Sequence, residues 1–397
     1  MTSKQPGRLS QIFRDIPYAT LAIIAINVVI AVFTSEQMSY VVRRHGLVPA
    51  SVKLPNMISA NFIHDGYLHL GINMILLYIF GRGVERVMGR IEFVIFYIGA
   101  CLAASVLHVA IVLASLPEFY EKRALIGASG PVAGVMGIYA VRFHRKVFRL
   151  GGTRLPALLF IGGWLMLQLA LGILGLYRDS FLGLGLKQVG YWSHLGGFAF
   201  GIVVALAANM ALQGEREHLI AQAERHYSDG NLLEATQSLE SLLRYDPDNA
   251  FAHAELARLW AILEEEDQSV PSYQVAIALY ISQGQEERAL ERAEEMKQFW
   301  PSSSLSAPMR FRLATYIEEA GQPERAIRAF REIVEESPDS AEAQMALLKI
   351  GQLQLSVLHD SASAAGTLRD FLDRYPESEW RKFAQETLVR ASARPQC

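Results

Sequence analysis

The chain has 397 residues and a formal net charge of −3 at pH 7, a length that allows two or three domains. Its two cysteines are Cys101, inside an apolar run, and Cys397, the last residue, and this pattern argues against a disulfide framework. No basic tract indicates binding to nucleic acid.

The average composition conceals two different halves. Residues 16–212 are overwhelmingly apolar, whereas the sequence from Gln213 onward is rich in Glu, Arg, Gln and Ala. We therefore predict an all-α protein in three parts. These are an N-terminal tail (1–16), a membrane domain (17–212) and a helical-repeat domain (213–397).

Six apolar windows approach the roughly 20 residues that a membrane-crossing helix needs. They are Tyr18–Thr34, Leu68–Met88, Glu92–Leu116, Pro131–Val147, Leu155–Tyr177 and Gln188–Leu212. No small-residue cleavage site follows the first window, so it is interpreted as a span rather than a signal peptide. The sequence predicts a six-helix transmembrane bundle.

The loops between these windows predict the orientation. The segment between the fourth and fifth windows is basic and lacks acidic residues; it contains Arg142, Arg145, Lys146, Arg149 and Arg154. The N-terminal tail and the connection after the second window are also basic, and six spans place all three on one side. The positive-inside rule makes that side cytoplasmic, with both termini. We expect an integral multi-pass protein of the cell membrane.

The second window carries polar residues at its start and near its end. His69 and Asn73 are four residues apart and therefore share a helical face, from which both can donate hydrogen bonds to a developing oxyanion. A polar stripe that ties this helix to its neighbours is the alternative interpretation. Glu85 lies several turns deeper, and we interpret it as a structural hydrogen-bonding or ion-pair group.

The fourth window begins with Ile126-Gly-Ala-Ser-Gly-Pro131. Pro131 suits the first turn of a helix, so Ser129 is predicted at a helix N-terminus, where unpaired N–H groups and the helix dipole favour negative charge. This is a suitable place for a nucleophile whose reaction builds an oxyanion. Close helix packing through Gly127 and Gly130 is the alternative.

The sixth window begins with Ser193-His-Leu-Gly-Gly197. A histidine can accept the proton of a serine hydroxyl, and Gly197 and Gly201 allow the close helix approach that a Ser129–His194 contact requires. In six spans, Ser129, His194 and His69 share one depth below the outer surface. No acidic residue at that depth completes a triad, which indicates a Ser–His dyad.

Together these motifs resemble the rhomboid family of intramembrane serine proteases. The resemblance covers residues 1–212 and rests on motifs that occur in the family's order. These are His69-Leu-Gly-Ile-Asn73, Glu85, Gly127-Ala-Ser129-Gly130, His194-Leu-Gly-Gly197 and Gly201. It implies a Ser129–His194 dyad, with an oxyanion hole made by His69, Asn73 and the Ser129 backbone N–H. It also implies cleavage of membrane-anchored proteins near the outer face of the bilayer.

One position departs from the family pattern. Rhomboid proteases often carry a tyrosine one turn after the serine, stacked on the histidine, where this chain has Ala133. Another group, such as Tyr139 or Tyr191, is then expected to orient His194.

The second half contains an internal repeat. Gly230, Gly284 and Gly321 are each followed by Ala at the fifth position after the glycine and by Pro at the seventeenth; these are Ala235, Ala289, Ala326, Pro247, Pro301 and Pro338. A weaker copy places Ala364 before Pro376, and the longer interval between the first two glycines predicts an extra helix. This pattern resembles tetratricopeptide repeats, which stack helix pairs into a solenoid whose concave surface commonly binds proteins.

The sequence therefore predicts a serine endopeptidase that acts on single-span or multi-span membrane proteins in the lipid bilayer, with repeats that bind a protein or peptide. No metal or organic cofactor is implied. A non-catalytic relative that binds transmembrane helices and recruits partners through the repeats is the alternative. A transporter or scaffold is disfavoured because acidic residues are sparse within the spans.

Overall fold

In a computed structural model, the described residues are 16–115, 121–150, 152–177, 180–181, 184–185 and 190–393. The chain divides into two compact units, Met1–His218 and Leu219–Cys397. The boundary predicted at 212/213 therefore falls slightly before the structural one. The predicted tail (except residue 16) and Cys397 lie outside the described residues.

The first unit is built from helices at each of the six apolar windows. They are α1 (Tyr18–Thr34), α4 (Tyr67–Met88), α5 (Arg90–Ser115), α6 (Ser129–Arg142), α7 (Ala157–Tyr177) and α8 (Tyr191–Ala207). Between α1 and α4 lie the short helices α2 (Met38–His45) and α3 (Asn56–Ser59). The unit ends in the first turns of α9 (Met210–Ser228).

Not every predicted span has the length and hydropathy of a typical membrane-crossing helix. Among the described residues, four helices are long and apolar enough to cross a membrane, or five if α8 and α9, bent by 68°, count as one span. Helix α6 has 14 residues and a length of about 21 Å, short of a hydrocarbon core of about 30 Å. Every residue from Gly130 to Tyr139 is buried by protein, so this helix need not match the thickness of the lipid.

Two short hairpins interrupt the otherwise helical unit. The basic segment after α6 forms β1 (Val147–Leu150) and β2 (Thr153–Pro156), which pair antiparallel with Leu150 opposite Thr153. A smaller pair, β3 (Ser180–Phe181) and β4 (Leu184–Gly185), follows α7. The predicted all-α class holds, with these hairpins as connections between helices.

Helices α6 and α8 pack closely because glycines line their contact. A Cβ atom added to Gly197 would overlap the carbonyl oxygen of Gly130, and one added to Gly201 would overlap that of Gly134. Any larger residue at these positions would therefore separate the helices. The close approach brings the start of α6, where Ser129 lies, to the start of α8, where His194 lies.

The second unit is a helical-repeat array. It contains the rest of α9 and then α10 (Leu232–Tyr245), α11 (Ala250–Ile262), α12 (Glu266–Ser282), α13 (Glu286–Phe299), α14 (Ala307–Glu319), α15 (Pro323–Glu336), α16 (Ala341–Ser356), α17 (Ser361–Arg374) and α18 (Arg381–Ala393). Three helices lie between Pro247 and Pro301, so the extra helix predicted in the longer interval is present.

The repeat signature corresponds to specific structural positions. Gly230, Gly284 and Gly321 have φ angles of 79°, 69° and 73° and connect successive helices. The alanines five positions later (Ala235, Ala289, Ala326) are fully buried. In the weaker copy His359, with a φ of 56°, takes the turn position, and the fully buried Ala364 follows five residues later. The pattern therefore marks one turn and one close-packed alanine in each copy.

Candidate active site

Ser129 and His194 lie within hydrogen-bonding distance at the starts of α6 and α8. Ser129 Oγ is 2.7 Å from His194 Nε2, although the two residues are 65 positions apart in the sequence. The serine is partly exposed and the histidine is buried. A serine hydroxyl at this distance from an imidazole nitrogen can be deprotonated as it attacks a carbonyl carbon.

The segment before Ser129 is held by backbone and side-chain hydrogen bonds. The Gly127 N–H donates to the carbonyl of Ala60, and the Ala128 N–H donates to His64 Nε2 over 3.3 Å. Gly127 has a φ of 112°, and a Cβ there would lie 2.7 Å from His69 Cε1. Glycine is thus required for both backbone conformation and space, and the segment sets where α6 begins.

His69 and Asn73 open into the same cavity as the Ser–His pair. His69 Nδ1 lies 2.7 Å from Asp65 Oδ1, and one N–H of the Asn73 amide donates to the His69 carbonyl over 3.0 Å. An amide carries two N–H donors, so Asn73 keeps a second. The first N–H groups of α6, that of Ser129 included, are at a helix N-terminus and lack intrahelical acceptors. His69, Asn73 and Ser129, whose groups are predicted to form an oxyanion hole, thus line one cavity.

The cavity has a volume of about 560 Å³. Its polar lining includes Asp65, His69, Asn73, Ser129 and His194, and its apolar lining includes Ile72, Leu76, Val132, Ala133, Met136 and Trp164. A cavity of this size and polarity can hold a short extended stretch of polypeptide. Within the described residues, no group of three or more His, Cys, Asp or Glu side chains could hold a metal ion.

His194 contacts residues on α7 as well as α6. Its Nδ1 is 2.8 Å from Oε1 of Gln168, and the Trp164 ring lies 5.9 Å from the imidazole, centroid to centroid. Tyr191 approaches edge-on at 6.5 Å, whereas Tyr139 packs against Phe80 and other phenylalanines. Of the two tyrosines predicted to orient His194, Tyr191 therefore makes a contact and Tyr139 packs elsewhere.

Glu85 lies away from this cavity and caps another helix. Its carboxylate accepts hydrogen bonds from the N–H groups of Ala19 and Thr20 and from the Thr20 hydroxyl, at 2.7–2.9 Å. These donors are in the first turn of α1, where N–H groups have no intrahelical partner. Glu85 thus acts as a cap supplied by another helix.

Four further residues belong to the site but were not predicted from the sequence: His64, Asp65, Trp164 and Gln168. The first two precede His69 in a polar segment, where the spacing of four between Asp65 and His69 was an available signal. Gln168 was detectable as a lone amide in an apolar window. Its partner, His194, was not detectable, because the contact joins residues of two different helices.

The fold and site together define a helical domain with apolar helices long enough to cross a membrane and a Ser–His pair at the starts of two close-packed helices. Residues 52–210 match the Rhomboid domain, and residues 310–340 and 345–378 match the Tetratricopeptide repeat. A segment that matches the Rhomboid domain is therefore followed, nearer the C-terminus, by segments that match tetratricopeptide repeats.

Several known proteins are similar to parts of the chain. Rhomboid protein 1, mitochondrial, of Saccharomyces cerevisiae is 24% identical over 43% of this chain and 47% of its own length. Rhomboid protease GluP of Bacillus subtilis is 25% identical over 55% of this chain and 43% of its own length. The chain thus spans less than half the length of these curated relatives.

Solved structures of tetratricopeptide repeat proteins are similar to part of the chain. A thermophilic tetratricopeptide repeat protein of Thermus thermophilus is 16% identical over 44% of this chain and 99% of its own, with a TM-score of 0.23. YrrB, a tetratricopeptide repeat protein, is 15% identical over 42% of this chain and 90% of its own, with a TM-score of 0.25.

Proposed function

We propose that this chain is an intramembrane serine endopeptidase that hydrolyses peptide bonds in or next to the transmembrane segments of membrane proteins. The observation that carries the proposal is the 2.7 Å contact between Ser129 Oγ and His194 Nε2, inside a cavity that His69 and Asn73 also line. One relative, named as a rhomboid protease, supports the same reaction class.

The reaction proceeds in two halves. Ser129 Oγ attacks the scissile carbonyl carbon while its proton passes to His194 Nε2, and the carbonyl oxygen becomes an oxyanion. The Ser129 N–H and Asn73 donate hydrogen bonds to that oxygen. His69, whose Nδ1 faces Asp65, donates to it from Nε2 when both ring nitrogens carry a proton. When the C–N bond breaks, the leaving amine takes the proton from His194, which leaves an ester on Ser129. Water then gives its proton to His194 and attacks the ester, and the returning proton releases the carboxylic acid and restores the serine.

The positions of the basic residues support a proposal for which side of the membrane this cavity faces. Ser129 begins α6, and the basic residues Arg142, Arg145 and Arg149 lie at or beyond its other end. Arg145 forms two 2.8 Å hydrogen bonds with Glu215, so the start of α9 is at the basic end too. By the positive-inside rule the basic end faces the cytoplasm, together with the N-terminus and the repeats, and the cavity opens toward the outer side.

The repeat unit is proposed to bind a protein or peptide partner. It contains a cavity of about 390 Å³ whose lining combines the apolar side chains of Leu290, Leu313 and Ile317 with the charged side chains of Lys297, Arg328 and Glu332. Such a mixed lining can accept an apolar side chain and hydrogen-bond the peptide that carries it.

Cleavage of a single-span substrate by the full chain in liposomes tests the enzymatic proposal. Ser129→Ala and His194→Ala are each expected to lower turnover by at least about 10³-fold, because a dyad acts as a unit. Ser105→Ala is the matched control, since the Ser105 hydroxyl donates to the Met57 carbonyl rather than to a base; it is expected to retain cleavage. Retained turnover in purified, folded Ser129→Ala protein would refute the mechanism.

A fluorophosphonate probe separates the enzyme from a non-catalytic relative. Labelling of the parent chain, lost in Ser129→Ala, is expected for an activated serine. If neither probe nor substrate reacts with the folded parent, the chain is better described as a rhomboid-like protein that binds transmembrane helices.

A further inference from the structure

Two side chains of α7 hold the imidazole of His194 from the side opposite Ser129. Gln168 Oε1 lies 2.8 Å from His194 Nδ1, and the Trp164 ring lies 5.9 Å from the imidazole at an interplanar angle of 36°. Trp164 and Gln168 are four residues apart and share one helical face. The ring is therefore fixed by a hydrogen bond at one nitrogen and by an aromatic contact.

The hydrogen bond to Gln168 determines which ring nitrogen is the base. A neutral imidazole carries one N–H, and a carbonyl oxygen facing Nδ1 requires that N–H to be on Nδ1, from which it donates a hydrogen bond. Nε2 is then unprotonated and directs its lone pair at the Ser129 hydroxyl. The other tautomer would place an N–H between Nε2 and Oγ, and the serine would have no base.

The surroundings of Gln168 support a role beyond packing. Residues 157–176 contain no other amide, hydroxyl or charged side chain. A buried amide in a membrane helix is costly unless it is hydrogen-bonded. Gln168 is 9% exposed, and the His194 nitrogen is the partner that accounts for its oxygen.

Helix α6 has no side chain at the nearest position that could orient the His194 imidazole. One turn after Ser129 stands Ala133, which is fully buried and presents a single methyl group. The support of His194 therefore comes from α7.

We propose that Gln168, with Trp164 beside it, is a positioning residue that holds His194 in the tautomer and orientation in which Nε2 receives the Ser129 proton. This inference rests on the proposed protease function. Gln168 acts through His194 and does not touch the reacting atoms.

The first experiment reads the tautomer directly and needs no activity. The full chain, labelled with ¹⁵N-histidine and held in detergent micelles, is compared with Gln168→Leu by NMR, and His194→Asn assigns the signals among ten histidines. The parent is expected to show an N–H at Nδ1 and a bare Nε2, and Gln168→Leu is expected to lose that preference. A parent with a bare Nδ1, or an unchanged Gln168→Leu spectrum, would overturn the proposal whether or not the chain cleaves substrate.

The second experiment measures turnover. Gln168→Leu is expected to lower kcat by roughly 10- to 100-fold with little change in KM, because the amide orients the base and does not bind substrate; the loss is smaller than when a charged triad residue is replaced. Gln168→Glu keeps an oxygen at the same reach and is expected to restore turnover. Leu167→Ala, at a neighbouring side chain that is half exposed on the helix surface, is the control.

Gln168→Asn replaces Gln168→Leu in these measurements if the leucine variant fails to fold. The asparagine side chain keeps the amide but is one methylene shorter, so its oxygen is withdrawn from His194. Equal loss of kcat in the leucine and glutamate variants would assign Gln168 a packing role and contradict the proposal. A parent that neither cleaves nor reacts with a fluorophosphonate would refute the protease function alone, because the NMR comparison still decides the role of Gln168.

Discussion

Arg142, the last residue of the helix that Ser129 begins, has its Nη2 atom 2.5 Å from a carboxylate oxygen of Glu217 on α9. The arginine side chain is 3% exposed, whereas that of Glu217 is 69% exposed. A buried guanidinium thus meets its counter-charge at the surface of the unit. A Cβ on Gly214 would overlap the Arg142 carbonyl oxygen, so α9 packs tightly against this end of α6.

Glu217→Gln is therefore expected to destabilise the first unit. Loss of the carboxylate leaves the buried charge of Arg142 without its counter-charge, but the exposure of Glu217 lets water compensate, so we expect a loss of about 1–2 kcal/mol. The free energy of unfolding of the full chain in mixed micelles measures this loss of stability. Glu224→Gln, an exposed position further along α9, is the control. Equal stability of the parent and Glu217→Gln would contradict the account.

Gly197→Ala tests the close contact between α6 and α8. The new methyl would overlap the Gly130 carbonyl oxygen, which cannot move without its helix. We expect the unfolding free energy to fall by about 1–3 kcal/mol, as in other overpacked cores, and cleavage to fall with it because Ser129 and His194 separate. Gly162→Ala on α7 is the matched control, since its methyl would meet no atom within 4 Å. Normal stability and activity in Gly197→Ala would show that the contact is looser than described.

Glu85→Gln tests the cap on α1. The carboxylate accepts three hydrogen bonds from Ala19 and Thr20, and a neutral amide is a weaker acceptor with one oxygen. We expect a loss of about 1–2 kcal/mol in unfolding free energy. A double-mutant cycle with Thr20→Val isolates the hydroxyl contact. Strict additivity of the two changes would mean that Glu85 and Thr20 do not interact.

The sequence was most informative where a residue type is rare in its surroundings. Ser129, His69 and His194 stand out because each interrupts or begins an apolar run, and the structure brings all three to one cavity. The helices themselves were predictable from apolar length. The short length of α6 was not predictable, because this helix is covered by protein rather than lipid and a hydropathy window does not distinguish these environments.

The features that could not be predicted from the sequence depend mainly on contacts between helices. Gln168 reaches His194 across 26 positions, and Glu85 reaches α1 across 65, so neither partner follows from local spacing. The hairpin of β1 and β2 lies in a segment whose main sequence signal is its basic charge, which predicts orientation and not strands. The repeats were easier to predict from the sequence, since their turns and close-packed alanines recur at fixed intervals.

His359→Gly is expected to stabilise the repeat unit. Gly230, Gly284 and Gly321 occupy their turns with positive φ, whereas the corresponding turn before α17 holds His359 at a φ of 56°. A side chain there costs roughly 1 kcal/mol, part of which is offset because glycine makes the unfolded chain more flexible. We expect slower hydrogen exchange of the α16 and α17 amides in the full chain. Gly321→Ala, the reverse change at an equivalent turn with open space around it, is expected to speed exchange in α14 and α15. Faster exchange in His359→Gly would show that the histidine side chain makes a contact that stabilises the unit by more than the positive φ destabilises it.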